Sequence, residues 1–259
     1  MKVRSNSPVN AARELHSFLG WTQPSDFSMD EIASALGIFV KNVPIDGSDG
    51  RILIKGDTAI ISIKKEINHL GRRNFILAHE IGHFLLHKDA SRLFSDTHLT
   101  LSEWYQKGVH EKEANVFASE FLMPEHLYRN KVKEKRLNIG LIEQVSGYFG
   151  TSLLASFLRY VSIGEFPAMI IFIEGGIIKW KFSSRDFPFR YLQTNTRVPA
   201  WTVAGDFFNK GMLETKPEKV EASEWFPDDP QIKFLGQMKL WEQCYSIKNN
   251  GLVSCLWTS

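Results

Sequence analysis

"RRNFILAHEIGHFLLH", residues 72–87, sets His79, Glu80 and His83 inside an otherwise apolar run. Residues four apart on a helix share one face, so His79 and His83 present two imidazoles to the same side. That spacing suits a single Zn²⁺. Glu80 lies about 100° further round the helix, where it reaches a water at the metal without being a ligand itself. Phe75, Ile76, Leu77, Phe84, Leu85 and Leu86 make the helix apolar on most sides. Two imidazoles and a carboxylate buried there cost several kcal/mol unless paired or coordinated, on the order of the penalty for unpaired polar groups. The plainer alternative is a core helix whose histidines are satisfied by neighbours. His87, one turn on, reads as a hydrogen-bonding residue near the helix end, because three histidines on consecutive turns do not converge on one tetrahedral ion. The extended metzincin pattern is absent: Leu86 and Asp89 stand where it requires Gly and His.

A third ligand must come from elsewhere. "EKEAN", residues 111–115, offers Glu111, 28 residues after His83. Glu111 and Asn115 share a helix face, so a carboxylate on the metal and an amide on a histidine's outer nitrogen are one coherent arrangement. Glu113 points off that face and reads as a solvated charge; His98, His110 and Asp89 are the remaining candidates. Two imidazoles and one carboxylate leave a fourth position open, and Glu80 is the general base of a peptide hydrolysis. Tyr105 and His110 are the candidates for stabilising the oxyanion.

The rest of the chain frames this site. It has 259 residues, 43% hydrophobic, and a net charge of +2, which suits one large domain or two modest ones and singles out no class of partner. The first residues lack a signal peptide's apolar core, and no apolar run approaches the roughly 18 residues of a membrane span. Two cysteines, Cys244 and Cys255, make no disulfide framework. A cytoplasmic protein without a membrane partner is expected.

"PVNAARELHSFLGW" is an amphipathic helix opened by Pro8 and closed at Gly20, and "SMDEIASALG" carries a capping box, Ser28 with Glu31. "RILIKGDTAIISIK" is a hairpin turning at Lys-Gly-Asp. Residues 88–107 read as loop, "HEKEANVFASEFLM" as a helix ending before Pro124, and 138–162 as two helices broken at Gly150-Thr151-Ser152. After Pro167 the chain turns β-rich and holds five of the seven tryptophans. "AMIIFIEGGIIKWKF" is a hairpin on Gly175-Gly176. "KLWEQCYSIKNNGLVSCLWTS" is a second, turning at Asn250-Gly251. That register sets Cys244 opposite Trp257 and Cys255 opposite Ser246.

Residues 129–161 hold six basic and two acidic residues. The segment reads as helix-turn-helix-like, with Lys131, Lys133, Lys135 and Arg136 as candidate DNA-phosphate contacts; the alternative is a structural helix pair with a solvated basic face.

The motif helix followed by "EKEANVFASEFLMPEHL" resembles the ImmA/IrrE family of zinc metallopeptidases, over roughly residues 10–160. The resemblance implies one Zn²⁺ per chain held by His79, His83 and Glu111, Glu80 as catalytic base, and Asn115 one turn after the glutamate ligand. It implies a mainly helical zincin-like (gluzincin-like) domain with a small sheet over residues 1–128; with the helix-turn-helix-like segment over 129–163 and, after the change of character at Pro167, a smaller β-rich α+β domain over 167–259 that resembles the sensor-like domains of some members, the whole chain reads as α+β. It also implies the substrate, a helix-turn-helix repressor whose cleavage derepresses stress, mobile-element or defence genes, with DNA damage as one trigger and DNA as a signal or partner. The alternative is a DNA-binding transcription regulator on a zincin fold with weak or no proteolysis.

Overall fold

The computed structural model describes residues 7–94, 108–212, 216–247 and 251–258. Among these residues the chain is mixed α+β, with ten helices and two small sheets. No described helix is long and apolar enough to cross a membrane. The chain divides into two compact units, Met1–Leu127 with Ser146–Ser152, and Tyr128–Val145 with Leu153–Ser259.

In the first unit, α1 (Pro8–Leu19) opens with Pro8 and closes at Gly20, whose φ of 64° is the left-handed cap that glycine adopts freely. α2 (Met29–Ala35) carries the expected capping box: Glu31 N–H donates to the Ser28 side chain, and Ser28 N–H donates to the Glu31 carboxylate. β2 (Gly50–Lys55) and β3 (Thr58–Lys64) form the expected antiparallel hairpin, turning at Gly56-Asp57. β1 (Ile38–Val43) was not foreseen; it pairs parallel with β3, giving the order β1-β3-β2 with β2 on an edge. Ala59, Ile61 and Ile63 of β3 are buried on the inward face.

Helix α3 (Leu70–Phe94) contains the motif and packs against β2, β3 and α4 (Val109–Leu122). It runs on through residues 88–94, where loop was expected. Ile76, Leu77, Ala78, Ile81, Phe84 and Leu85 are buried, so burial of side chains holds this helix rather than end-capping. α4 stops at Leu122, two residues before Pro124, as expected.

In the second unit, α5 (Glu125–Val132) contributes from Tyr128 on. The two helices expected after residue 138 are α6 (Ile139–Phe149), divided between the units, and α7 (Leu153–Ile163). A five-stranded antiparallel sheet follows, in the order β5-β4-β8-β7-β6: β4 (Ala168–Glu174), β5 (Ile177–Ser183), β6 (Glu218–Glu221), β7 (Lys239–Ile247) and β8 (Gly251–Thr258). Helices α8 (Val203–Lys210), α9 (Ala222–Trp225) and α10 (Ile232–Leu235) complete the unit. Trp225, Phe187, Phe189 and Phe226 fill a core with Ile171, Leu240 and Leu256.

The β7–β8 register corrects the expectation. Ile247 pairs with Gly251, so Gly251 opens a strand and Asn250-Gly251 is not a two-residue turn. Cys244 faces Ser254 and Cys255 faces Gln243, which puts the two thiols on opposite faces of the sheet, both buried and free. Glu242, fully buried on β7, accepts from Val203 N–H and Ala204 N–H at the start of α8, from Trp225 Nε1–H and from Ser254 Oγ–H. Its carboxylate thus caps a helix from inside the core.

Candidate metal centre

The distance between α3 and α4 makes the site. A methyl on Gly82 would stand 3.0 Å from the Phe117 ring and 3.3 Å from the Ala114 Cα, so the two helices meet closely only because residue 82 has no side chain. The helices run in opposite directions: His79 meets Asn115, His83 meets Glu111, and His87 meets His110 and Glu113. A period of four on one helix is mirrored by a period of four on the other.

His79 Nε2 lies 3.2 Å from Glu111 Oε2, and His83 Nε2 lies 3.3 Å from Glu111 Oε1. The two Nε2 atoms are 3.0 Å apart, and the three donors all lie within 4.8 Å of one another. Two imidazole nitrogens about 2.0–2.1 Å from a tetrahedral zinc are separated by roughly 3.3 Å, so this donor set fits such an ion with small adjustments. His79 Nδ1–H donates to Asn115 Oδ1 at 3.0 Å, which leaves Nε2 as the lone-pair nitrogen.

Burial pushes the His83 imidazole down to about 3, with the neighbouring imidazoles adding to it. Burial also lowers His79, against the opposing pull of Glu111. Both rings are therefore neutral at physiological pH, the state in which imidazole ligates. Glu80 is 7% exposed. Burial, then the charge of Glu111, pushes its carboxyl up to about 8. A carboxyl titrating near neutrality is suited to exchanging protons with water. A methyl on Gly50, the first residue of edge strand β2, would stand 3.1 Å from Glu80 Oε1. The strand edge and the carboxylate thus lie side by side.

A second trio stands next to the first. His87 Nε2 is 2.9 Å from Glu113 Oε2, His110 Nδ1 is 3.6 Å from the same oxygen, and the two rings meet edge-on. These donors also lie within 4.8 Å of one another. Glu113 is thus not the solvated charge its helical phase suggested: it pairs with His87. The reason is the antiparallel approach of α4, which turns a flank of that helix towards the end of α3. His87 hydrogen-bonds near the end of the motif, as expected, but to Glu113 and to His83 Nδ1 at 3.1 Å. The pairing was not read from the sequence; three histidines at intervals of four on α3 were its one signal. His98 and Tyr105 lie outside the described residues, as does the side chain of Asp89. Lys131 lies in the last turn of α5, and Lys133, Lys135 and Arg136 lie in the segment before α6, all exposed. The Arg136 guanidinium stands over the Phe166 ring, and Lys135 Nζ donates to the Lys131 carbonyl.

Residues 33–156 match a protein-family model described as the IrrE N-terminal-like domain, peptidase family M78. No curated protein matches the sequence. Among solved structures, a Mycobacterium tuberculosis transcriptional regulator superposes with a TM-score of 0.64 at 17% identity, over 98% of this chain and 76% of that one. At that identity the likeness is one of fold.

Proposed function

We propose that the chain, whose residues 33–156 match the IrrE N-terminal-like domain of peptidase family M78, is a zinc-dependent endopeptidase of zincin-like fold whose substrate is a helix-turn-helix repressor. The observation that carries this reading is the convergence of His79, His83 and Glu111 with Glu80 beside them. His79, His83 and Glu111 hold one zinc ion per chain. When bound, zinc supplies Lewis acidity, which makes water acidic near neutral pH and polarises a peptide carbonyl. Asn115 holds His79 in the tautomer that ligates. Glu80 takes the proton of the attacking water and returns it to the leaving amine. Edge strand β2 offers backbone donors and acceptors to an extended peptide, and Gly50 lets that strand pack closely against Ile76 and Glu80 of the motif helix.

Cleavage of such a repressor relieves repression of stress, mobile-element or defence genes. Residues 1–128 form the peptidase, 129–163 the helix-turn-helix-like segment and 167–259 a domain that controls it, and the site of action is the cytoplasm. The test is incubation with helix-turn-helix repressors encoded beside the gene. One defined cut, abolished by chelator and restored by zinc, supports the reading; an uncut set refutes the substrate. A second reading, a DNA-binding regulator with weak or no proteolysis, draws on the likeness to the mycobacterial transcriptional regulator and on the exposed Lys131, Lys133, Lys135 and Arg136. Neutralising these four should then weaken duplex binding and flatten its salt dependence.

A further inference from the structure

The outer nitrogen of His83 meets another imidazole. A neutral imidazole carries one ring proton. For His83 Nε2 to be a ligand beside His79 and Glu111, that proton must sit on Nδ1. His83 Nδ1–H then donates to His87 Nδ1 across 3.1 Å. His87 Nδ1 is therefore the acceptor, and the proton of His87 sits on Nε2. From there it donates to Glu113 Oε2 at 2.9 Å. Reversing the two bonds would protonate His83 Nε2 and remove it from the donor set. His83 and His87 are 1% and 3% exposed, so water competes little for either bond.

We propose that His87 and Glu113 are positioning residues for His83: they hold its ring in the ligating tautomer, and the charge of Glu113 reaches it through two hydrogen bonds that make Nε2 a stronger donor. The inference rests on the reading of His79, His83 and Glu111 as the metal ligands. It differs from the common arrangement, in which a ligating histidine donates directly to a carboxylate, carbonyl or water. Here an imidazole is interposed, and such a chain polarises cooperatively. It also decides what the second trio does. A metal on His87 Nε2 would put the His87 proton on Nδ1, against the Nδ1–H of His83 in the same 3.1 Å gap. Two neutral imidazoles cannot both ligate in that geometry. The trio of His87, His110 and Glu113 is therefore a support for one ion and not a second site.

The test measures zinc dissociation constants by competition with a chromophoric chelator, in the full chain and four variants. His87→Phe and Glu113→Ala should each weaken zinc binding by about 10–100-fold, the usual effect of losing a partner of a ligating histidine. His87→Gln supplies a carbonyl that accepts from His83 Nδ1–H, and should recover most of the loss seen in His87→Phe. Glu113→Gln, which accepts without a charge, should fall between parent and Glu113→Ala. Cobalt-substituted Glu113→Ala protein should show its visible bands displaced from those of the parent, a change that a packing role would not produce. Glu113 is about one-third exposed, so that variant reports even if His87→Phe does not fold. Parent-like affinity and spectrum in Glu113→Ala would overturn the relay while leaving the ligand assignment intact. Two tightly held ions per chain would overturn it as well. A parent that binds no zinc would overturn both the relay and the ligand assignment.

Discussion

Replacing His16 with phenylalanine should flatten the acid side of the stability profile. His16 stacks with Trp21, 4.1 Å from ring to ring, and with Phe121, at 4.6 Å, and its Nε2–H donates to the Phe121 carbonyl near the end of α4. Burial pushes its imidazole down to about 4, although that carbonyl and Glu120 pull the other way. In the unfolded chain the same group titrates near its ordinary 6.5. Between these values the unfolded state holds more protons than the folded one. The stability contributed by neutral His16 is thus complete above the unfolded value and is lost as pH falls towards the folded one. Integrating this difference gives a loss of about 2 kcal/mol from pH 7 down to pH 5. His16→Phe keeps the stacking and gives up one hydrogen bond, so it should be less stable than the parent by about 1 kcal/mol near neutrality. At about pH 5 the order should reverse, because the parent has lost its share and the variant has none to lose. The lowered histidines of the metal centre are present in both proteins and cancel in the difference. Urea unfolding followed by tryptophan fluorescence, with chelator present, measures the two curves. Parallel curves between the two pH values would refute the burial argument for His16.

Other consequences are as direct. Gly82→Ala should destabilise the first unit by about 1–3 kcal/mol by overpacking, and should weaken zinc binding with it, because the added methyl forces α3 from Phe117 and Ala114; unchanged zinc affinity would uncouple that helix contact from the site. Glu242→Leu should cost the second unit at least about 4 kcal/mol, since five buried donors, the weak Cys244 thiol among them, lose their acceptor at once. Chemical denaturation of the variant decides it. Glu111→Ala should weaken zinc binding far more than Glu113→Ala, measured by chelator competition, since Glu111 oxygens lie beside both Nε2 atoms and Glu113 acts through His87.

Local chemistry made much of this fold legible in the sequence. Pro8 and Gly20 bound α1, Ser28 and Glu31 cap α2, and the glycines at 56 and at 175–176 turn two hairpins, because each feature needs only its neighbours in the chain. The interval of four put His79 with His83 and Glu111 with Asn115, and the structure brings the two pairs face to face. What escaped depends on distant chain. Parallel pairing of β1 with β3 has no turn to announce it. Gly251 looks like a turn residue, yet it pairs with Ile247, and that choice shifts the whole cysteine register. Glu242 reads as a polar position of a strand until α8 and Trp225 are seen to donate to it. Glu113 reads as surface until α4 turns its flank to His87.

The proposed reaction turns on Glu80 acting as a base without binding the metal. Glu80→Gln tests it with one preparation and two readings, zinc per chain and cleavage of the repressor. About one zinc per chain is expected, as in the parent, with cleavage reduced by at least about two orders of magnitude, the contribution of a general base. A folded Glu80→Gln protein that has lost its zinc, or one that still cleaves at the parent's rate, would contradict it.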